Sequence, residues 1–108
     1  MTKLWLGLDV GTTAVKAAAY TPEGRQVALA EAPSQVTQVA GGGSEQDMGQ
    51  VWATVVAVLA DLVGRCDGAE FEALGIAAQG DGLWCVTEDG APAGPAMLWN
   101  DTRTADDL

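Results

Sequence analysis

The chain has 108 residues, 48% of them hydrophobic, which suits one small core-forming domain and argues against disorder. Fifteen acidic against five basic side chains leave a formal charge of −10, which repels nucleic acid and anionic lipid yet permits a metal-bound polyphosphate held by backbone N–H groups. Histidine is absent and no apolar run approaches the ~18 residues of a membrane span, so histidine-based metal sites, Ser–His–Asp triads and transmembrane helices drop out.

Leu4, Leu6 and Leu8 alternate with Trp5 and Gly7, the period of a strand, before Asp9-Val10-Gly11-Thr12-Thr13 interrupts the pattern. Val15 to Tyr20 resumes it as a second strand. Thr21-Pro22-Glu23-Gly24 is a turn signal, and Gln26 to Glu31 reads as a third strand, completing an antiparallel meander. From Ala32 to Gln46, proline, serine, glutamine and the Gly41-Gly42-Gly43 run indicate a long loop. Val51, Val55, Val58, Leu59 and Leu62 then fall on one helical stripe. Ser44 or Asp47 caps that helix, Asp47 with Gln50 has capping-box spacing, and Gly64 is its stop. Ala73 to Ala78 is apolar on both faces and is expected as a central strand. Leu83 to Thr87 and Ala96 to Trp99 read as strands flanking the Glu88-Asp89-Gly90 turn, and Asp101 or Thr102 caps a last helix running towards Leu108. Trp5, Trp52 and Trp84 are expected in the core. The opening Met1-Thr2-Lys3 lacks a secretory signal, and Cys66 and Cys85 are too far apart for a metal knuckle, so two free thiols in a reducing cytoplasm are expected.

Two segments carry chemistry. At the end of the first strand, Asp9 offers a hard carboxylate oxygen to Mg²⁺ or its waters. Gly11 allows the backbone to approach a phosphate, Thr12 and Thr13 add N–H and hydroxyl donors, and Lys16 lies on the next strand with a positive charge. The loop is neither G-x-x-x-x-G-K-[ST] nor G-x-G-x-x-G, and the same residues also read as a plain hairpin turn. The second segment is split between Gln79-Gly80-Asp81-Gly82 and Leu98-Trp99-Asn100-Asp101-Thr102-Arg103. Asp81 can accept from two vicinal hydroxyls, Trp99 offers a ring face to C–H groups, and Asn100 both donates and accepts. Gln79 reads as a strand-end residue that organises the loop, and Asp101 with Arg103 as structural. Gly80-Asp81-Gly82 is also a good tight turn.

The order of three strands, a helix and a further strand resembles the opening of the ribonuclease-H-like fold of sugar kinases, actin and heat-shock ATPases. That fold is α/β, with a mixed sheet and flanking helices. Trp5 to Lys16 is similar to the start of the FGGY family of carbohydrate kinases, whose members open with a strand, D-x-G-T-[TS] and a second strand carrying Lys or Arg. Gly75 to Gly82 stands where those kinases end a strand in G-Q-M-H-G or N-Q-R-E, and Leu98 to Arg103 matches their L-W-x-D-x-R. Ala14 departs from the family, where a hydroxyl or glycine is common. The resemblance implies a kinase using ATP and Mg²⁺, with Asp9 organising the metal and Gly11, Thr12, Thr13 and Lys16 serving the phosphates. It further implies that Gly80, Asp81, Trp99 and Asn100 hold a sugar or polyol, the Gln-Gly-Asp-Gly form looking closer to the polyol and L-pentulose branches. The family's catalytic base, adenine pocket and second lobe come from sequence beyond residue 108, so residues 1–108 read as the N-terminal portion of the first kinase domain, without a catalytic residue of their own. A non-sugar ATPase of the same superfamily and a non-catalytic association module are the alternatives. A truncated sheet would expose an edge and favour a homo-oligomer.

Overall fold

A computed structural model describes residues 2–107. The alternating apolar residues fold into β1 (Thr2–Val10), β2 (Ala14–Tyr20) and β3 (Gln26–Pro33), the expected meander. Antiparallel pairing sets Asp9 opposite Lys16 and Ala17 opposite Ala30. The Thr21–Gly24 turn closes with the Gly24 N–H donating to the Thr21 carbonyl at 2.9 Å. Helix α1 (Met48–Gly64) crosses over the sheet and returns the chain as β6 (Ala69–Ala78), parallel to β1. The sheet order is therefore β3-β2-β1-β6.

The core lies between this sheet and α1. Leu4 and Leu8 of β1, Val15, Ala17 and Ala19 of β2 and Ala30 of β3 meet Val55, Val58 and Leu62 of the helix. Alanines in the two strands beneath the helix let it approach the sheet closely, and Ala17, Ala19 and Leu62 are fully buried. Asp47, rather than Ser44, caps α1 by accepting from the Gln50 N–H at 2.9 Å. The capping box is not reciprocal, because the Gln50 amide donates to Gln35 instead. At the other end Gly64 is the last helical residue, and Arg65 follows it, paired with Asp61 and donating to the Leu29 carbonyl.

Several expectations need correction. β6 is an edge strand, since β1 is its one partner among the described residues. Its Leu74 and Ile76 share the helix-side face with Leu6 and Leu8, yet α1 rests over β2 and β3 and leaves them 45% and 66% exposed. Trp52, on the flank of α1 that points to this uncovered face, and Trp5, on the opposite face of the sheet, are exposed as well; Trp84 is half-buried. The stretch read as a long loop folds into a hairpin of β4 (Thr37–Val39) and β5 (Gly43–Gln46), to which β7 (Ala96–Met97) adds as a third strand. Gly42 turns this hairpin with φ +92°, and a Cβ there would collide with the Thr102 hydroxyl. The strands expected over Leu83–Thr87 and Ala96–Trp99 shrink to β7 and two isolated bridges, Leu83 with Met97 and Val86 with Pro92. The last helix is a short 3₁₀ turn, Ala105–Asp107, whose expected extension to Leu108 lies outside the described residues. Cys66 and Cys85 are free thiols, and no described helix is long and apolar enough to cross a membrane.

Candidate functional site at the carboxyl ends of β1 and β6

Parallel strands end together, so the residues just past β1 and β6 converge on one rim of the sheet. The β1–β2 turn closes with the Gly11 N–H donating to the Ala14 carbonyl at 3.0 Å. A Cβ on Gly11 would stand 2.8 Å from that same oxygen, so the turn requires glycine. Ser34, just past β3, fixes the loop from the side: its hydroxyl donates to the Gly11 carbonyl and its N–H to the Thr13 carbonyl, both at 2.9 Å. Gly11 therefore has no N–H to spare for a ligand. Among the described residues the N–H groups of Thr12 and Thr13 make no such turn bond. Asp9 and Lys16 stand side by side on the sheet face away from α1, exposed, on an open hollow of about 610 Å³ also lined by Gly7, Ala18 and Gly75.

On the β6 side, the Gln79 N–H donates to the Val10 carbonyl at 3.3 Å and so continues the parallel ladder by one residue. The chain then turns through Gly80, Asp81 and Gly82. Asp81 holds φ +57°, the left-handed region that aspartate and asparagine enter at lower cost than other side chains. Its carboxylate and the Asn100 amide are exposed and make no hydrogen bond among the described residues.

The Trp99 segment reaches this rim through bonds to β5. Leu98 is buried, and its N–H donates to the Ser44 carbonyl at 2.9 Å. Asp101 accepts from the Ser44 N–H at 2.8 Å and from the Arg103 guanidinium at 2.7 Å, while Arg103 also pairs with Glu45 at 2.8 Å. The Arg103 guanidinium and the Ser44 N–H hold the Asp101 carboxyl down to about 2, against the usual 3.8. A carboxyl whose pKa is lower in the folded chain adds stability that is complete above its unfolded value and is lost as pH falls through the folded one. The unfolding midpoint is thus expected to fall between about pH 4 and pH 2, with a smaller fall in Asp101→Asn, when melting is followed by circular dichroism across that window.

One chain of hydrogen bonds joins the two segments. The Trp99 indole N–H donates to the Thr12 hydroxyl at 3.1 Å. That hydroxyl donates to Gln79 Oε1 at 3.0 Å, and Gln79 Nε2 donates to Oε1 of buried Gln46 at 2.8 Å. The Thr12 hydroxyl, expected as a phosphate donor, has its single proton committed here, which leaves its backbone N–H for a ligand. Structure thus brings Thr12, Gln79 and Trp99 into contact and places Asp9 and Lys16 on the adjoining face. Ser34, Glu45 and Gln46 were missed from sequence because they sit in the stretch read as loop, and these partners lie 21 to 58 positions away along the chain. No cluster of three or more metal-ligating side chains occurs among the described residues. Asp9 alone fits Mg²⁺, an ion commonly held through one or two carboxylates, its own waters and substrate phosphates.

The sequence pattern described as "FGGY family of carbohydrate kinases, N-terminal domain" matches residues 4–107. Over 105 residues the chain is 35% identical to the L-xylulose/3-keto-L-gulonate kinase of Escherichia coli (strain K12), covering 95% of this chain and 21% of that protein. It is 33% identical over 102 residues to the erythritol kinase of Brucella abortus (strain 2308), covering 93% of this chain and 20% of that one. The crystal structure of gluconate kinase from Lactobacillus acidophilus superposes with a TM-score of 0.92 at 26% identity, over 99% of this chain and 22% of that one. The chain therefore spans about a fifth of the length of the curated relatives it matches. Its mixed sheet and crossing helix are those of the actin/hexokinase-type ATPase fold. The chain belongs to the FGGY family of carbohydrate kinases, within its N-terminal domain.

Proposed function

We propose that residues 1–108 are the N-terminal portion of the first domain of an ATP-dependent carbohydrate kinase, one that phosphorylates a terminal hydroxyl of a ketopentose or polyol. The observation that carries this reading is the bond between Trp99 and Thr12, which joins segments 87 positions apart into one rim. MgATP would supply the phosphoryl group and the metal that neutralises its charge. Asp9 holds the metal or its waters. Gly11 keeps the loop tight, Thr12 and Thr13 turn their N–H groups to phosphate oxygens, the Thr13 hydroxyl adds a donor, and Lys16 offsets charge on the transferring group. Gly80 leaves room for the acceptor, Asp81 and Asn100 bond its hydroxyls, and the exposed face of Trp99 packs on its C–H surface. The carboxylate that takes the proton from the acceptor hydroxyl comes, by the family resemblance, from sequence beyond residue 108. Residues 1–108 alone are accordingly inactive. The net charge of −10 argues against nucleic acid or anionic membranes as partners, the free thiols suit a cytoplasmic protein, and the β6 edge, unpaired among the described residues, offers a surface for self-association of residues 1–108.

The test uses the full-length protein with erythritol and L-xylulose as probe acceptors, chosen because the relatives above are kinases of these names. Asp81→Asn keeps a residue that tolerates the left-handed backbone and removes the charge. It is expected to lower kcat/KM for the acceptor by about 10–150-fold, the worth of a hydrogen bond to a charged group, while binding of the non-hydrolysable analogue AMP-PNP is kept. Unchanged acceptor kinetics in Asp81→Asn would remove it from the site. Failure of every sugar and polyol tried to stimulate ADP release would sink the kinase reading itself.

A further inference from the structure

The hydrogen-bond chain across the rim has a fixed direction. An indole N–H only donates, so Trp99 obliges the Thr12 hydroxyl to accept and frees its proton for Gln79 alone. The Gln79 amide must then present its oxygen to Thr12 and its nitrogen to Gln46. Gln46 is 2% exposed and sits at the end of β5, so this end of the chain is anchored in the fold. The other end, Trp99, is 57% exposed. Between them Thr12 is the middle residue of the β1–β2 turn, whose backbone faces phosphate in the reading above. Nothing else among the hydrogen bonds of the described residues connects Trp99 to that turn.

We propose that Gln79 is a positioning residue: through the Thr12 hydroxyl it ties the phosphate loop to the acceptor wall, so that nucleotide and acceptor binding are coupled across this bond. The inference rests on the kinase reading and adds to it a residue that need touch neither substrate. Gln79, anchored on Gln46, holds the Thr12 hydroxyl with its lone pair towards the indole, so an acceptor packed on Trp99 restrains the indole, through it the hydroxyl, and with it the backbone of the turn. A nucleotide on the turn does the same in reverse, and linkage requires both effects to be equal in size. Closure of two lobes can add a second source of coupling, so the quantity to measure is the share that disappears with Gln79.

Binding of AMP-PNP with MgCl₂ to the full-length protein is measured by calorimetry, with and without saturating erythritol or L-xylulose, in the wild type and in Gln79→Met, which keeps the length of the side chain and removes the amide. The ratio of the two dissociation constants is expected to fall about fivefold in Gln79→Met, the scale of one neutral hydrogen bond. Thr12→Val is expected to lower it equally, and Thr12→Ser to restore it. A role confined to holding the fold would lower the melting midpoint and leave the ratio at its wild-type value, and that result overturns the proposal. So does a wild type that turns over an acceptor yet shows no coupling, in which case the kinase reading stands. If neither acceptor is bound or turned over, and no other sugar or polyol tried stimulates ADP release, both fall together.

Discussion

Gly11→Ala is expected to cost the chain about 2–4 kcal/mol of stability and to weaken AMP-PNP binding by the full-length protein at least tenfold. The new methyl would stand 2.8 Å from the Ala14 carbonyl, a backbone atom that cannot swing aside as the tip of a side chain could. Relief requires the turn to open, which breaks the Gly11 N–H bond to Ala14 and pulls Gly11 and Thr13 away from Ser34. Each of those groups then loses a partner, and the N–H groups of Thr12 and Thr13 lose their aim. Urea denaturation gives the first number and calorimetry the second. Gly24→Ala is the control: Gly24 also turns a hairpin, with φ +89°, but nothing lies within 4 Å of a Cβ there. It should cost about 1–2 kcal/mol of backbone strain and leave nucleotide binding untouched. Equal behaviour of the two variants would show that the Gly11 turn is not specially tight.

Leu62→Ala is expected to destabilise by about 2–5 kcal/mol, a large share of the roughly 5–15 kcal/mol available to a domain of this size. Leu62 has no exposed surface and lies among Val58 of its own helix and the alanines of β2 and β3. Those alanines have no side-chain length with which to fill the space left behind, so the cavity persists. Val56→Ala, on the exposed side of the same helix, should cost about 1 kcal/mol or less. Chemical denaturation followed at a helical wavelength separates the two. A Leu62→Ala variant as stable as Val56→Ala would mean that α1 is not docked on the sheet as described.

The parts of the fold legible in the sequence were those set by local period and local turn chemistry. Leu4, Leu6 and Leu8 announced β1, the Thr21–Gly24 turn announced the β2–β3 hairpin, and the valine stripe announced α1. The hairpin of β4 and β5 was hidden because β4 is only three residues long and the residues it pairs with in β5 have weak strand preference: Thr37 faces Glu45, Gln38 faces Ser44 and Val39 faces Gly43. What holds it is remote, namely the Thr102 N–H on the Gly42 carbonyl and the Asp101–Arg103–Glu45 group. Burial of β6 was overestimated because an apolar pattern on two faces records what a strand can be packed against, whereas α1 is placed by the small residues of β2 and β3. At the candidate site the residue types could be named from motif spacing. Their connection could not, since the Thr12 hydroxyl can donate to phosphate or to Gln79 with equal chemical ease until the fold places Gln79 within 3.0 Å.

Among the described residues the outer edge of β6 is unpaired, and it carries Ala73-Leu74-Gly75-Ile76-Ala77-Ala78, six residues without a charge or a proline. Such a segment is a template for another strand, and what stands against templating is the surplus of ten negative charges that keeps copies of the chain apart. That repulsion is colloidal and reaches only about 10 Å at 0.1 M salt. Ionic strength, and acidification towards the isoelectric point near 4.1, both weaken it and therefore shorten the time residues 1–108 stay dispersed; of the two, added salt acts at a pH where the Asp101 carboxylate keeps its charge.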